Sequence, residues 1–275
     1  MTSNIMKRGT PVFEEEEDVE VAATAALSSL KMLEVFARDN PSNKNYAVLL
    51  ARSYGNYAFG FLENDILQYK DRDRVKYDAS LARAKLFYRR GRDYGLDILK
   101  RSGRFRNALS KDSATFEEML KGYGRGDLDL LFWTGFCWGN LINLSKDDPS
   151  AITDLGRVQA MMARVFKLQE TYFYASPHLF YGVYYASRPP MLGGSPQKAK
   201  DHFEDAVKFT QGKFLMAEAL EAQFYAVQVQ DKALFYELLQ RVLDTPGDLL
   251  PQQRLANELA KRRARILLDR IDNYF

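Results

Sequence analysis

The sequence predicts an all-α fold of antiparallel helix pairs. Apolar residues recur at helical spacing from end to end, the breaks between those stripes carry helix-start chemistry, and no segment alternates with a two-residue period between hairpin turns. Ala84, Phe87, Tyr88, Gly91, Tyr94, Gly95 and Ile98 form one stripe. Val158, Met161, Met162, Val165 and Phe166 form a second, and Leu234, Phe235, Leu238, Leu239, Val242 and Leu243 a third.

Taken in order, the elements follow from these signals. The acidic run Glu14 to Asp18 complements the dipole of a helix over 18–38, and a second helix spans 43–63. The first stripe gives 73–101, and Thr115 with Glu118 forms a capping box for 115–122. A long uncharged run gives 127–145. Asp148-Pro149, Ser176-Pro177 and Ser195-Pro196 each set a capping side chain before a proline at the first helical position, opening helices over 150–169, 177–187 and 196–210. Helices over 213–228, 231–244 and 251–270 complete the chain. Short connections make consecutive helices antiparallel neighbours.

The stretch LDLLFWTGFCWGNLINLSKDD, residues 128–148, has no charged side chain from Leu130 to Ser145. A membrane span needs roughly 20 consecutive mostly apolar residues, and this run is shorter and interrupted by Asn140 and Asn143. A helix apolar on nearly all sides is buried between neighbours. Gly135 and Gly139, four apart, share a face where another backbone can come close.

Small residues also stand where tetratricopeptide helices touch. Gly135 with Trp138 and Gly182 with Tyr185 supply the first-helix pattern; Ala199, Phe203 and Ala206 match the second, and Ala84, Tyr88 and Gly91 resemble it. Gly135 to Gly182 is 47 residues, against roughly 34 in a regular repeat. The expected architecture is therefore a degenerate tetratricopeptide-like superhelical array, with residues 1–17 as an N-terminal tether and 18–275 as a single helical domain.

Composition is that of a globular chain: 46% hydrophobic and 27% charged residues exclude extensive disorder. A net charge of +3 implies no polyanion partner. Arg83 to Lys111 is locally basic, which reads as a solvated helix face or as a patch for an acidic partner or an anionic membrane surface; nucleic-acid binding is not expected. Cys137 is the single cysteine, so neither an intramolecular disulfide nor a cysteine-based metal site is open to the chain. The first twelve residues hold no continuous apolar core of a signal peptide. His178 and His202 stand in different predicted helices without a nucleophile motif beside either. There is no G-x-S-x-G, H-E-x-x-H or P-loop, and GYGRG (122–126) lacks the Lys-Ser/Thr that phosphate cradling uses. No catalysis, metal or cofactor is expected; His202 with Asp201 and Asp205 reads as a surface ion-pair cluster.

Three segments together resemble the TatT family, the tetratricopeptide-like T component associated with tripartite ATP-independent periplasmic (TRAP) transporters. They are WTGFCWGNLINLSKDDP (133–149), the region from Val158 to Val207 that includes YGVYYASRPPMLGGSP, and LANELAKRRARILL (255–268). The combination WTG..W, LGG and LAN..A..RA carries the likeness, which runs from about residue 19 to 270. The resemblance implies a periplasmic lipoprotein, a homotrimer, and a docking partner in the transporter's solute-binding protein. It also implies that the precursor bears a lipidated cysteine upstream, with Met1 in its place here, and that the membrane is reached through that lipid alone.

Two features suggest a ligand site. TYFYASPHLFYGVYY (171–185) concentrates rings around His178, which suits both repeat-core packing and an aromatic-lined cavity. Arg263 falls on the stripe Leu255, Ala256, Leu259, Ala260, Ile266 and Leu267, where its guanidinium must find either a neighbouring acid or a ligand carboxylate. The candidate ligand-binding residues are Trp133, Phe136, Tyr172, Tyr174, His178, Tyr181 and Arg263, for an apolar or carboxylate ligand. In SRPPMLGGS (187–195), Pro189 and Pro190 stiffen a loop that either packs locally or presents Met191 and Leu192 to a neighbouring protomer. The competing class is a helical-repeat protein-interaction scaffold without a small-molecule ligand.

Overall fold

The computed structural model describes residues 2–145 and 148–275, and among these all regular structure is helical. Met1, where the precursor would carry its lipidated cysteine, lies outside the described residues. Two compact units are distinguished, one mainly Ala23–Leu168 and the other mainly Gln169–Phe275, to which Pro11–Ala22 also belongs. Helices α1 (Thr2–Glu14) and α2 (Val19–Asp39) open the chain.

In the first unit, α3 (Lys44–Tyr57) runs without a break through a π-helical turn (Ala58–Leu62) into α4 (Glu63–Tyr69). Asp73 accepts from the Lys76 amide at 3.0 Å and starts α5 (Arg74–Leu99), which returns along α3. The expected helix over 73–101 ends there. Ser102 caps a separate short helix, α6 (Gly103–Leu109), and Asp112 rather than Thr115 caps α7 (Ser113–Leu120), its carboxylate accepting from the Thr115 amide at 2.9 Å. The uncharged run forms α8 (Leu128–Asn143), packed against α3 and α5 and against α10 (Leu155–Leu168). A short α9 (Pro149–Ile152), capped by Asp148, precedes α10, so the expected helix over 150–169 is split.

Burial of α8 explains its composition. Leu131, Phe132, Trp133, Thr134 and Cys137 are at most 1% exposed, so a charge there would be desolvated with no partner. The close approach expected at Gly135 and Gly139 is made chiefly by glycines of the neighbouring helices. A Cβ on Gly91 would lie 2.6 Å from Cys137 Sγ, and one on Gly95 would lie 1.9 Å from Thr134 Oγ1. Gly135 itself faces the Met162 thioether on α10. The Cys137 thiol donates to the Ala51 carbonyl at 3.2 Å, and burial pushes its pKa far up, so it is an inert packing group.

The connection 122–126 is tied down: Lys44 Nζ reaches the Gly126 carbonyl at 2.7 Å and Asp127 at 2.6 Å. Much of the basic segment serves locally. Arg83 lies over the rings of Tyr57 and Phe87, and Arg106 caps the Lys100 carbonyl at 2.6 Å.

In the second unit, α11 (Tyr172–Ala186) packs along α12 (Pro196–Thr210). The loop between them is closed by Gly193 at φ +84° and by Gly194, where a Cβ would lie 1.8 Å from the Arg188 carbonyl oxygen. It holds Met191 out at 89% exposure. Ala199, Phe203 and Ala206 are fully buried, and the Phe203 ring fills the space a Cβ on Gly182 would need, at 2.9 Å. Next come α13 (Met216–Leu220) with a π-helical turn (Glu221–Ala226), then α14 (Lys232–Asp244) and α15 (Arg254–Leu268). No helix among the described residues is long and apolar enough to cross a membrane.

The α5–α8 crossing yields a double-mutant test. Gly91→Ala is expected to destabilise the chain by about 1–3 kcal/mol through overpacking, despite the better helix propensity of alanine. Adding Cys137→Ala removes the obstructing Sγ and should restore part of that loss. Urea denaturation of the four members of the cycle measures the coupling; additivity would show that the two residues do not compete for space.

Candidate functional site

The aromatic cluster begins with an unusual backbone. Phe173, Tyr174 and Ala175 are consecutive left-handed residues, at φ 41°, 56° and 58°. For non-glycine residues this region costs about 1–2 kcal/mol each, so the turn persists only because its surroundings over-determine it. The right-handed part of α11 follows at Ser176-Pro177, as the sequence predicts, with the Ser176 hydroxyl donating back to the Phe173 carbonyl at 2.6 Å. The turn throws the Tyr174 ring onto Phe214, stacked at 5.2 Å. Tyr172 lies beside Phe173 at 6.4 Å.

One helical turn further on, two histidines meet. His178 on α11 and His202 on α12 approach at 3.1 Å between their Nδ1 atoms. His178 is 2% exposed. Its Nε2 lies 3.5 Å from Glu170 Oε2 and its Nδ1 lies 3.7 Å from Asp205 Oδ2. Tyr181 and Tyr185 stack on the His202 ring at 5.3 and 5.8 Å, while Phe209 stands 5.3 Å from that of His178. Burial lowers the pKa of His202, and the neighbouring His178 lowers it further, against Asp205 and Asp201. Tyr172, Tyr174, Tyr181, Tyr184 and Tyr185 are all half-buried, unlike the core tyrosines Tyr54 and Tyr88. Half-buried tyrosines offer apolar faces with polar tips, which suits contact with a ligand or partner.

Arg263 is fully buried on α15, and its Nη1 donates to Gln223 Oε1 in the π-helical turn at 3.4 Å. Asn257, in the same LAN..A..RA motif, is also buried. It accepts from the Leu215 amide at 3.0 Å and donates to the Lys213 carbonyl at 3.0 Å, pinning the segment before α13 to α15.

Trp133 and Phe136 lie in the first unit. Trp133 is 1% exposed, in edge contact with Phe132 at 5.0 Å and Phe136 at 5.6 Å, and the Arg52 guanidinium sits 5.5 Å above its ring. Phe136 is half-buried and adds Phe59 and Tyr88 to this aromatic group. Tyr172, Tyr174, His178, Tyr181 and Arg263 belong to the second unit. Within it His178 and Tyr181 converge on His202, Tyr174 turns to Phe214, and Arg263 is held at the π-helical turn.

Sequence reasoning passed over two further groups. The His178–His202 contact is hidden by 24 residues of separation, and only the pairing of α11 with α12 reveals it. Glu218 and Glu221, on an apolar stretch, are 3% and 8% exposed. Glu218 pairs with Arg241 at 3.2 Å, yet burial outweighs that half-exposed partner and raises its pKa. Burial and the nearby Glu218 raise Glu221 to about 7. Among the described residues no group of three or more His, Cys, Asp or Glu could hold a metal ion.

The sequence profile of a family described as "TRAP transporter T-component" matches residues 15–275, nearly the whole chain. The chain belongs to that family. That family is one of transporter accessory components rather than of enzymes, and the resemblance carried by WTG..W, LGG and LAN..A..RA is borne out. A Treponema pallidum (strain Nichols) protein named "Uncharacterized protein" is 26% identical over 270 residues, spanning 97% of this chain and 83% of its own length. In this T component several motif residues stand at close contacts: Thr134 and Gly135 at helix crossings, Gly193 and Gly194 in the loop, and Asn257 and Arg263 as buried polar groups.

A pH prediction follows from Glu221. Its folded pKa is raised above the unfolded value of 4.5, so the stabilisation is complete below about 4.5 and is lost as pH rises through about 7. Glu221→Gln removes this dependence, and the variant should gain about 3 kcal/mol over the parent chain between acid and alkaline conditions. Urea midpoints of both proteins at about pH 5 and about pH 8 measure it; an unchanged difference between them would refute the assignment.

Proposed function

We propose that this T component is a periplasmic, lipid-anchored homotrimer built as a tetratricopeptide-like array, which docks the solute-binding protein of a TRAP transporter and holds or passes on an apolar or carboxylate ligand. The transporter role is supported by the family match over residues 15–275. The ligand reading is carried by one observation: α11 keeps Tyr172, Tyr174 and Tyr181 half-buried beside a buried histidine, on a strained backbone. Within the second unit Arg263 is proposed to supply a buried cation for a carboxylate, and Trp133 and Phe136 are proposed separately as apolar surface of the first unit. The scaffold reading, with no small-molecule ligand, is favoured by the rings of α11 and α12 stacking on one another.

Mixing the purified chain with a TRAP solute-binding protein of the same organism, followed by light scattering of the eluted peak, is expected to show a co-eluting complex whose mass gives the stoichiometry. Separate elution at micromolar concentration, with and without ligand, would overturn the docking claim.

Organic extraction and mass spectrometry of the purified chain are expected to recover a lipophile or carboxylate that is depleted in Tyr181→Ala, and in Arg263→Met where the ligand is a carboxylate. Extracts identical to solvent blanks would instead establish the bare scaffold.

A further inference from the structure

Four consecutive nonpolar residues, Pro189 to Leu192, stand exposed at the tip of the loop between α11 and α12, Met191 at 89% and Leu192 at 65%. Such a run facing water stabilises nothing and invites association. The tip is nevertheless a built structure. The Leu192 and Gly194 amides donate to the Pro189 carbonyl at 2.9 and 3.1 Å, the Gly193 amide donates to that of Pro190 at 3.0 Å, and the Ser195 amide to that of Tyr185 at 3.1 Å. Gln228, two residues beyond the π-helical turn, donates to the carbonyls of Tyr185 and Arg188 at 3.4 and 3.5 Å. A defined backbone therefore holds the apolar side chains out.

Cations and tyrosines stand at the base of this tip. The Arg188 guanidinium lies 3.9 Å from the centroid of the Tyr184 ring and its Nη1 donates to the Tyr184 carbonyl at 2.8 Å, while Lys198 Nζ lies 5.3 Å from the centroid of the Tyr185 ring. From Ser187 to Lys200 the chain carries Arg188, Lys198 and Lys200 and no carboxylate. Lys200 turns to Glu204 at 3.6 Å, and Asp201 accepts from Gln197 at 2.8 Å. Among the described residues neither Arg188 nor Lys198 is paired with a carboxylate. Burial works against the charge of Arg188, and an external anion would offset that cost. We propose that this loop is a membrane-docking tip: Met191 and Leu192 insert among the acyl chains of an anionic bilayer, the Tyr184 and Tyr185 rings lie at headgroup level, and Arg188 and Lys198 meet the lipid phosphates.

A bilayer fits each part. Projecting side chains need an apolar phase but no preformed groove, which acyl chains supply. Tyrosine rings, apolar with polar tips, collect at the water boundary of that phase, and anionic headgroups attract cations beside it. With two inserted side chains and two cations the attachment is weak and reversible, suited to a chain already held at the membrane by the proposed N-terminal lipid. This goes beyond the proposed function, in which the membrane is reached through that lipid alone. The contact belongs to the second unit and depends on neither the ligand face nor the solute-binding partner.

Flotation of the full chain, expressed without a lipid, with vesicles of phosphatidylcholine containing about one third phosphatidylglycerol tests it. The chain is expected to float with these vesicles, to bind vesicles of phosphatidylcholine alone about tenfold more weakly, and to be released by about 0.5 M salt. Met191→Ser combined with Leu192→Ser, at exposed positions where folding is unaffected, should lower partitioning about tenfold. Lys198→Gln, also exposed, should lower it about fivefold on the anionic vesicles and leave the neutral ones unchanged. A parent chain that stays with the soluble fraction, or a double variant that floats equally well, would overturn the proposal. Dissociation of a parent oligomer by the double variant in the absence of lipid would place the tip between copies of the chain and overturn it too. So would loss of co-elution with the solute-binding protein in that variant when the parent chain binds no vesicles, which would assign the tip to a protein partner. Vesicle binding without co-elution upholds the docking tip and counts against the solute-binding partner alone.

Discussion

The first unit depends on how closely α8 can be approached. An uncharged helix surrounded by others gains its stability from apolar burial, and that burial is realised only if neighbouring backbones come within the reach of a missing Cβ. Gly91 and Gly95 on α5 and Gly55 on α3 provide the approach, and Cys137, Thr134 and Phe136 occupy the space they leave. Polar groups in this contact are satisfied locally: the Cys137 thiol by the Ala51 carbonyl, the Thr134 hydroxyl by the Leu130 carbonyl at 2.6 Å. Neither introduces a charge where none could be solvated.

The second unit solves the same problem with a different set of side chains. Gly182 admits the Phe203 ring, and Ala199 and Ala206 let α12 lie close to its neighbours. The apolar contact is supplemented by buried polar pins, Asn257 on the backbone around Phe214 and Arg263 on Gln223. The same unit holds His178, Glu218 and Glu221 out of water, and burial shifts the pKa of His202, Glu218 and Glu221.

The proposed ligand face is a half-buried set of rings on a constrained backbone. The rings of α11 are too exposed to be core and too closely stacked to be random surface. What positions them is the left-handed turn before Ser176-Pro177, a conformation maintained by neighbours rather than by its own residues.

Much of this was legible from residues alone. Helical period, the Asp148-Pro149 and Ser195-Pro196 starts, and the lack of charge in α8 are local properties. Each is set by the 3.6-residue repeat or by a single capping bond. The family was legible too, from motif residues several of which stand in this chain at close backbone approaches and buried hydrogen bonds. Other features arise only when distant segments meet. Ser102 and Asp112 take over as caps where the expected helices end elsewhere, and the glycines that admit α8 lie on α3 and α5. Arg263 meets a glutamine 40 residues away, and His178 meets His202 across a helix pair. Neither partner is marked by spacing. A side chain's local pattern records whether it is buried, but which atom it meets there is decided by the crossing of whole helices, and only the tertiary structure contains that crossing.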